Sequence, residues 1–182
     1  MTVMGREQTA PIVFRPGRTA DAEALATLHL DSWRATYDPM LDPHDRTRLN
    51  LGERLAAWQR RLAQPSGRVC LALRDGLLVG FVAVEVAHDE DLDSCEGEVT
   101  SLHVRPDLHG QGIGRRLLAE GEALLRTEGC HAAVLWVLAA NGPARAFYER
   151  CGWQADGVAA HRPMGGLAGL PLVDEVRYRR SL

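Results

Sequence analysis

Residues 99–129 read VTSLHVRPDLHGQGIGRRLLAEGEALLRTEG, and this stretch decides the fold. Val99–Val104 is apolar and β-branched enough for a buried strand, and Arg105-Pro106-Asp107 ends it. After the glycine-rich turn at 110–114, leucines recur at helical spacing as far as Leu125. Gly129 is a typical residue at the end of a helix. The stretch therefore predicts a strand, a glycine turn and an amphipathic helix.

Glycines at the beginning of a helix let backbone N–H groups converge on one point, where the helix dipole also favours negative charge. Gly110, Gly112 and Gly114 have this placement and predict a phosphate or pyrophosphate site. A Walker loop would require Lys-Ser/Thr after the last glycine, but Arg115-Arg116 follows it. A dinucleotide fingerprint would require a glycine where Arg115 stands. Both nucleotide patterns are thus disfavoured.

The segment His109–Gly114 resembles motif A of the GNAT superfamily of N-acetyltransferases, Arg/Gln-x-x-Gly-x-Gly/Ala, which cradles the pyrophosphate of coenzyme A. The chain departs from this pattern at its first position, where histidine replaces Arg or Gln. The alternative is a turn that only packs the helix on the strand. The resemblance implies a cofactor-binding set of His109, Gly110, Gln111, Gly112, Ile113, Gly114 and Arg115.

The 182-residue chain carries a net charge of −3, which does not indicate binding to nucleic acid or to an acidic membrane. Its four cysteines and seven histidines show no spacing typical of a metal site, so we expect no metal. The scattered cysteines favour a reducing compartment, and no export signal or membrane span is visible, so we expect a cytoplasmic protein. We expect residues 1–10 to be a flexible N terminus and residues 11–182 to form one domain.

Periodicity and turn residues predict the remaining elements in order. The predicted strands and helices are strand 12–14, helix 21–34, helix 51–62, strands 68–73 and 78–86, strand 99–104, the central helix, strand 133–139, helix 144–151, a strand from 153 and strand 173–179. Asp75-Gly76 predicts a tight hairpin. We expect the acidic segment 88–96 to be a solvated connection, with at most a weak attraction for a cationic amine. Residues 161–171 are expected to form a loop.

Residues 141–153, NGPARAFYERCGW, are similar to the second signature of the same superfamily, Asn-x-x-Ala-x-x-Phe-Tyr-x-x-x-Gly-Phe. Two such motifs in the right order are far more specific than one. The resemblance covers nearly the whole chain and implies an α/β (α+β) GNAT fold. In that fold a mixed, mostly antiparallel sheet of about seven strands is flanked by helices and splayed at its two central strands.

Acetyl transfer to an amine requires a proton donor for the departing thiolate and a base for the attacking amine. The resemblance places Tyr148 at the position of the acid; the alternative is a tyrosine that only packs. Asn141 stands where the superfamily commonly binds the pantetheine arm, and it could equally be a helix N-cap. Leu102, His103 and Val104 would offer backbone groups to the pantetheine amides, at a point where a bulge is common.

Glu98 lies on the central strand at the position of the catalytic glutamate in the histone-acetylating branch, and its alternative role is a solvated carboxylate. Strand alternation predicts that Glu98 shares a face with Thr100 and Leu102, opposite His103. Another branch places its base on the following strand, where this chain has Trp136.

Trp33 and Tyr37 resemble a Trp-x-x-x-Tyr found on the acceptor-facing wall of many bacterial GNAT proteins, although core packing would also explain them. The implied function is acetyl-CoA-dependent transfer of an acetyl group to a small-molecule or peptide amine. A non-catalytic acyl-CoA-binding module on the same fold is the alternative. The resemblance leaves a homodimer open and gives no reason to expect nucleic-acid or membrane partners.

Overall fold

The computed structural model describes residues 10–37, 42, 44, 50–64, 68–93, 95–164 and 170–182. Of the expected flexible N terminus, only Ala10 lies within these ranges. The strands are β1 (Val13–Pro16), β2 (Arg68–Arg74), β3 (Leu77–Val86), β4 (Glu96–Val104), β5 (Ala132–Leu138), β6 (Gln154–Pro163) and β7 (Leu172–Ser181). The α-helices of the described ranges are α1 (Ala22–Tyr37), α2 (Leu51–Ala63), α3 (Ile113–Thr127) and α4 (Gly142–Arg150).

All seven strands form one sheet in the order β1-β2-β3-β4-β5-β7-β6. Every neighbouring pair is antiparallel except β4 and β5, which are parallel. The predicted class, a mixed and mostly antiparallel sheet flanked by helices, is confirmed. The Asp75-Gly76 hairpin is also present, with both residues at positive φ as a tight turn between β2 and β3 requires.

Two apolar layers cover the sheet, because alternate residues of β3 point to opposite faces. Val82 and Val84 pack beneath α3, in one cluster with Leu117 of that helix. Phe81 and Ala83 pack on the other face beneath α1 and α2. Each face of the central strands is therefore buried by helices, and the edge of β4 is the place where the sheet opens.

The acidic segment 88–96 connects β3 to β4 with mostly exposed residues in its described part, as predicted, but it also binds a buried cation. Asp89 and Asp91 both accept hydrogen bonds from the guanidinium of Arg177, whose side chain is only 3% exposed. Glu96 is buried and begins β4. The prediction of a solvated connection is thus wrong only for Glu96, while a buried cation 86 residues further along the chain binds the exposed part of the segment.

The predicted loop 161–171 is wrong for its first residues, since β6 continues to Pro163 and pairs with β7 as far as Pro163↔Leu172. Proline is tolerated there because it is the last residue of an edge strand. Residues 165–169 of that segment lie outside the described ranges.

Candidate active site

The glycine turn before α3 has the backbone geometry that only glycine adopts readily. Gly110 and Gly112 have φ values of +78° and +80°, and Gly112 is the N-cap of α3. No side chain caps this helix, and a Cβ added at either glycine would meet nothing within 4 Å. The first N–H groups of α3 therefore face an open space that can receive an anion.

The side chains around this turn hold it to the sheet. His109, which stands where the superfamily has Arg or Gln, places its Nε2 2.9 Å from the Val104 carbonyl oxygen. Arg74 donates to the amide oxygen of Gln111 at 2.9 Å. Arg115 is exposed beside the turn. His109 thus connects the end of β4 to the glycine turn, and it uses an acceptor of Val104 that the sequence analysis had assigned to pantetheine.

Beyond the glycine turn, β4 and β5 separate. Their pairing is limited to Glu96–Glu98 with Ala132–Val134, so the predicted splay is present. The later part of β4, Leu102–Val104, pairs on its β3 side but not with β5. The side chains of Leu102 and Val104 pack against the cluster under α3. Between the splayed strands, β4 therefore offers its backbone groups rather than its side chains.

A β-bulge at Thr100 changes which residues of β4 share a face. Ser101 pairs with Ala83, whereas Val99 pairs with Val84, so Thr100 has no partner on β3. The bulge reverses the alternation, and Glu98 shares its face with Ser101 and His103. The predicted face is therefore wrong for Leu102, which packs under α3, and for His103, which shares the face of Glu98, whereas Thr100 lines the same cleft as Glu98. The bulge that the resemblance implied at this point is present.

A cleft of about 610 Å³ lies on this face, between β4 and the two helices α1 and α2. Glu98, Ser101 and His103 line it from β4, and Trp136 lines it from β5. Its helical walls carry the predicted acceptor residues and several that the sequence analysis missed. Those lining residues are His29, Trp33, Tyr37, Arg54, Trp58, Arg60 and Arg61.

Glu98 has the electrostatics of a base that works near neutral pH. Burial, together with the negative charges of Glu85 and Asp89, raises the pKa of its carboxyl to about 7. Arg162 and His88 oppose this shift. A carboxylate whose pKa lies near the operating pH can accept a proton from an ammonium acceptor. Glu98 therefore remains our candidate base.

Two histidines face each other on the cleft wall, with the rings of His29 and His103 4.7 Å apart. Burial, together with His103 and Arg54, lowers the pKa of His29 to about 2, and burial and Arg54 lower the pKa of His103 to about 4. Both imidazoles are consequently neutral at pH 7. Neither can act as an acid there.

Tyr148 packs with the cluster under α3 rather than lining the cleft, and its ring lies 5.2 Å from that of Phe147. Burial raises its pKa, with a further rise from Tyr37. Tyr37 lines the cleft and stacks on Trp33 at 4.3 Å, and Trp33 is itself buried in a cluster with Met164. Trp33 and Tyr37 thus both pack in the core and form part of the cleft wall.

Asn141 is the N-cap of α4, because its side-chain oxygen accepts a hydrogen bond from the Ala144 N–H at 3.1 Å. This is the alternative role that the sequence allowed. The capping contact uses only the amide oxygen, so the NH₂ group can still donate to another acceptor.

The charged residues of α2 were missed because nothing in a helical pattern shows which polar face meets a cleft. Arg61 donates to the Val84 carbonyl oxygen at 3.1 Å and lies 3.4 Å from Glu85. Arg54, two turns earlier, also lines the cleft. The spacing of Arg54, Trp58 and Arg61 on one helical face was the only available indication.

Away from the cleft, Asp93, Glu96 and His131 place one potential metal-ligand atom each within 4.8 Å of the others. These positions are too far apart in the chain to form a spacing motif. Glu96 also binds the guanidinium of Arg179, so one carboxylate oxygen is already used by a cation.

Residues 23–153 match the model of the acetyltransferase (GNAT) family. An uncharacterised N-acetyltransferase of Bacillus subtilis is 28% identical over 76% of this chain and 78% of its own length. An aminoglycoside N(6')-acetyltransferase of Stenotrophomonas maltophilia is 32% identical over 80% of this chain and 88% of its own. A mycothiol acetyltransferase of Streptomyces coelicolor is 43% identical, but the match spans only 26% of that protein.

Among solved structures, the PaiA N-acetyltransferase of Thermoplasma acidophilum, in complex with coenzyme A, has the same fold. It superposes with a TM-score of 0.74 over 94% of this chain and 99% of that one, at 18% identity. The fold and the cleft define an acyl-group transferase. The chain belongs to the GNAT family of acetyltransferases, and its class is that of an N-acetyltransferase. No helix within the described ranges is both long and apolar enough to cross a membrane.

Proposed function

We propose that the protein transfers an acetyl group directly from acetyl-CoA to a primary amine bound in the cleft, and that residues 11–182 form the domain that does so. The observation that carries the proposal is the splay between β4 and β5. It lies between an open glycine turn at the start of α3 and a cleft containing a carboxyl with a pKa of about 7. The donor and the acceptor would meet at this opening.

In this proposal the pyrophosphate of acetyl-CoA binds the N–H groups that follow Gly112. The pantetheine arm lies along Leu102–Val104 as an added strand, with Asn141 donating to it. The unpaired edge of β4 supports this arrangement. The helix dipole and the oriented amides would supply most of the affinity, which explains why a histidine at position 109 is tolerated.

The acceptor amine becomes a nucleophile when Glu98 accepts its proton, either directly or through a water molecule. Nitrogen then attacks the thioester carbonyl, and the tetrahedral intermediate releases the second nitrogen proton to solvent and collapses by breaking the C–S bond. Tyr148 would donate the proton that the departing thiolate takes up. Because the pKa of its phenol is raised, Tyr148 is protonated at neutral pH and can act as a donor.

Thermal unfolding in the presence of single ligands tests the donor. A ligand that binds only the folded state adds about 2.7 kcal/mol at one hundred times its dissociation constant. We expect acetyl-CoA and CoA to raise the melting temperature and NAD and ATP to leave it unchanged. A shift with neither CoA species would contradict the proposal.

Tyr148→Phe tests the chemistry and separates an enzyme from a module that only binds acyl-CoA. We expect kcat to fall about 100-fold while the affinity for CoA stays within twofold, because the ring and its packing remain. A Phe variant that loses CoA affinity but keeps its turnover would exclude Tyr148 as the acid.

A further inference from the structure

Some charged side chains that line the cleft form ion pairs with each other, and others have no such partner. Within the cleft, Arg61 pairs with Glu85 and Arg162 pairs with Glu175. After these pairs are formed, Glu98 is the carboxyl without an ion-pair partner among the lining residues. On α2, Arg54 likewise has no ion-pair partner within the ranges that the structure describes. Among the described lining residues, the cleft thus carries one carboxyl without an ion-pair partner, Glu98, and two such guanidinium groups, the half-buried Arg54 and the exposed Arg60.

The wall around Arg54 also contains a hydrogen-bond donor without an acceptor. The indole N–H of Trp58 is buried with no partner in the described part of the chain, and Trp58 is only 4% exposed. A buried donor left unpaired costs about 1–3 kcal/mol. A ligand group that only accepts hydrogen bonds would relieve this cost, and an oxyanion is such a group.

The register of the sheet places the wall formed by Arg54 and Trp58 at the opposite end of the cleft from Glu98. Trp58 packs its ring on Phe81 at 5.1 Å, whereas Arg61 reaches Val84 further along β3. Arg54 comes one helical turn before Trp58, so it lies beyond Phe81. Glu98 is opposite Glu85, four residues after Phe81, which is about 13 Å along a strand.

Nearby neutral groups complete this end of the cleft. His29 and His103 lie against Phe81, with ring centroids 5.7 Å and 5.3 Å from it. Because both imidazoles are uncharged at pH 7, the local positive charge comes from Arg54. The guanidinium is therefore the group that would select an anion, and its planar fork suits a two-oxygen contact.

We propose that the acceptor is a primary amine that also carries an oxyanion group, with the amine toward Glu98 and the oxyanion at Arg54 and Trp58. This inference rests on the proposed acetyl transfer and specifies its substrate class. A carboxylate and a phosphonate share the required chemistry. Purely cationic amines lack the group that Arg54 would bind.

A matched series of amines tests the substrate class by measuring thiol release from acetyl-CoA. The acceptors are 6-aminohexanoate, 6-aminohexylphosphonate, hexylamine and 1,6-diaminohexane, with 4-aminobutyrate and 8-aminooctanoate to vary the spacing. We expect kcat/KM for at least one amino acid or the phosphonate to exceed that for hexylamine about tenfold or more. Comparing 6-aminohexanoate with 6-aminohexylphosphonate shows whether a carboxylate or a phosphonate is preferred. A diamine that surpasses every oxyanion acceptor would overturn the proposal.

Arg54→Met tests the residue. We expect the ratio of kcat/KM for the best oxyanion acceptor to that for hexylamine to fall about tenfold. Arg34→Met is the matched control, since Arg34 is exposed on α1 and does not line the cleft, and it should keep the wild-type ratio. An unchanged ratio in Arg54→Met would overturn the assignment.

Calorimetric binding of the same acceptors to the CoA-bound protein separates this inference from the proposed function. If no amine is acetylated while the oxyanion acceptor binds and Arg54→Met removes that binding, acetyl transfer is wrong and the oxyanion site stands. If hexylamine is acetylated and the oxyanion acceptors bind no better than hexylamine, acetyl transfer stands and the oxyanion site is wrong.

Discussion

At the scale of single residues, Glu98 provides the sharpest test because its pKa lies within the range of an ordinary assay. A base works in its ionised form, so activity should be lost as pH falls through about 7. We expect log(kcat/KM) to rise with unit slope below pH 7 and to level above it. Glu98→Gln should lower kcat about 100-fold and abolish the rise of log(kcat/KM) below pH 7, the acidic limb of the profile. A wild-type profile that is flat between pH 6 and 8 would contradict the assignment.

Glu85 offers a control for the same limb, since its negative charge raises the pKa of Glu98. In Glu85→Gln the carboxyl of Glu98 should ionise more easily. We expect the limb to move to lower pH while the plateau persists. The variant would alter the midpoint of the profile rather than its height, which a merely structural effect of the substitution would not do.

The residues of the cleft were only partly predictable. Glu98, Trp33 and Tyr37 could be selected by resemblance to known motifs. The face of Glu98 was predicted wrongly for the residues after Thr100, because this unpaired residue reverses the alternation and a bulge leaves no mark in an apolar strand. Arg54 and Trp58 could not be found, since their role depends on how α2 lies against β3.

At the scale of elements, the beginning of α3 should bind the pyrophosphate through its backbone. Gly112→Asp would add a side chain in open space, but at φ +80° and with a negative charge where the phosphate binds. We expect the CoA dissociation constant to rise at least tenfold, with a loss of about 1–2 kcal/mol in unfolding free energy. Calorimetry and denaturant unfolding measure the two quantities.

Gly157→Asp is the matched control for that substitution. Gly157 has φ +89° and equally open surroundings, but it lies on β6 near the far edge of the sheet. The backbone strain should be similar and the affinity for CoA should not change. Equal losses of affinity in the two variants would show that strain, and not the phosphate site, explains the result at Gly112.

The middle of α3 is fixed by how closely it approaches the sheet. A Cβ at Gly121 would lie 2.9 Å from a methyl group of Val82, whereas one at Gly114 would lie 3.5 Å from the Phe147 ring. Alanine gains about 1 kcal/mol of helix propensity over glycine, but overpacking costs about 1–3 kcal/mol. We therefore expect Gly121→Ala to destabilise the protein and Gly114→Ala to leave its stability equal or higher in denaturant unfolding. Val82→Ala should rescue Gly121→Ala in a double-mutant cycle.

At the scale of the whole molecule, the order of the elements and the splay were predictable because two signature motifs fix the middle of the chain. The contact between the acidic segment and Arg177 was not predictable. Arg177 alternates with apolar residues on β7 and therefore resembles a solvated residue, yet it is buried among Asp89, Asp91 and Asp156. This ion-pair network joins residues far apart in the sequence, and no local sequence pattern predicts such a contact.

Arg177→Met tests how much this network contributes to stability. Leaving a buried charge without its partner costs about 3–5 kcal/mol, and we expect a loss near the lower end because Asp89, Asp91 and Asp156 keep partial contact with water. In a protein of this size we expect the melting temperature to fall by roughly 10 °C. Arg116→Met, which removes an exposed pair with Glu120, is the control and should change little.

The same network predicts a dependence on acid. Arg177 donates to Asp91 and holds the pKa of that carboxyl below its ordinary value of 3.8, so the ion pair stabilises the folded state at neutral pH. This stabilisation is lost as pH falls below that value, because the carboxyl is then protonated. The difference in unfolding free energy between wild type and Arg177→Met should therefore narrow in denaturant unfolding below about pH 4.

The network also reaches the cleft, since the indole of Trp136 donates to Asp89 at 3.1 Å and Arg162 lies over the Trp136 ring at 4.1 Å. Loss of Arg177 should then raise KM for the acceptor while the affinity for CoA, bound on the other side of the splay, persists. An acceptor KM unchanged in a folded Arg177→Met variant would show that the network stabilises the segment without shaping the cleft.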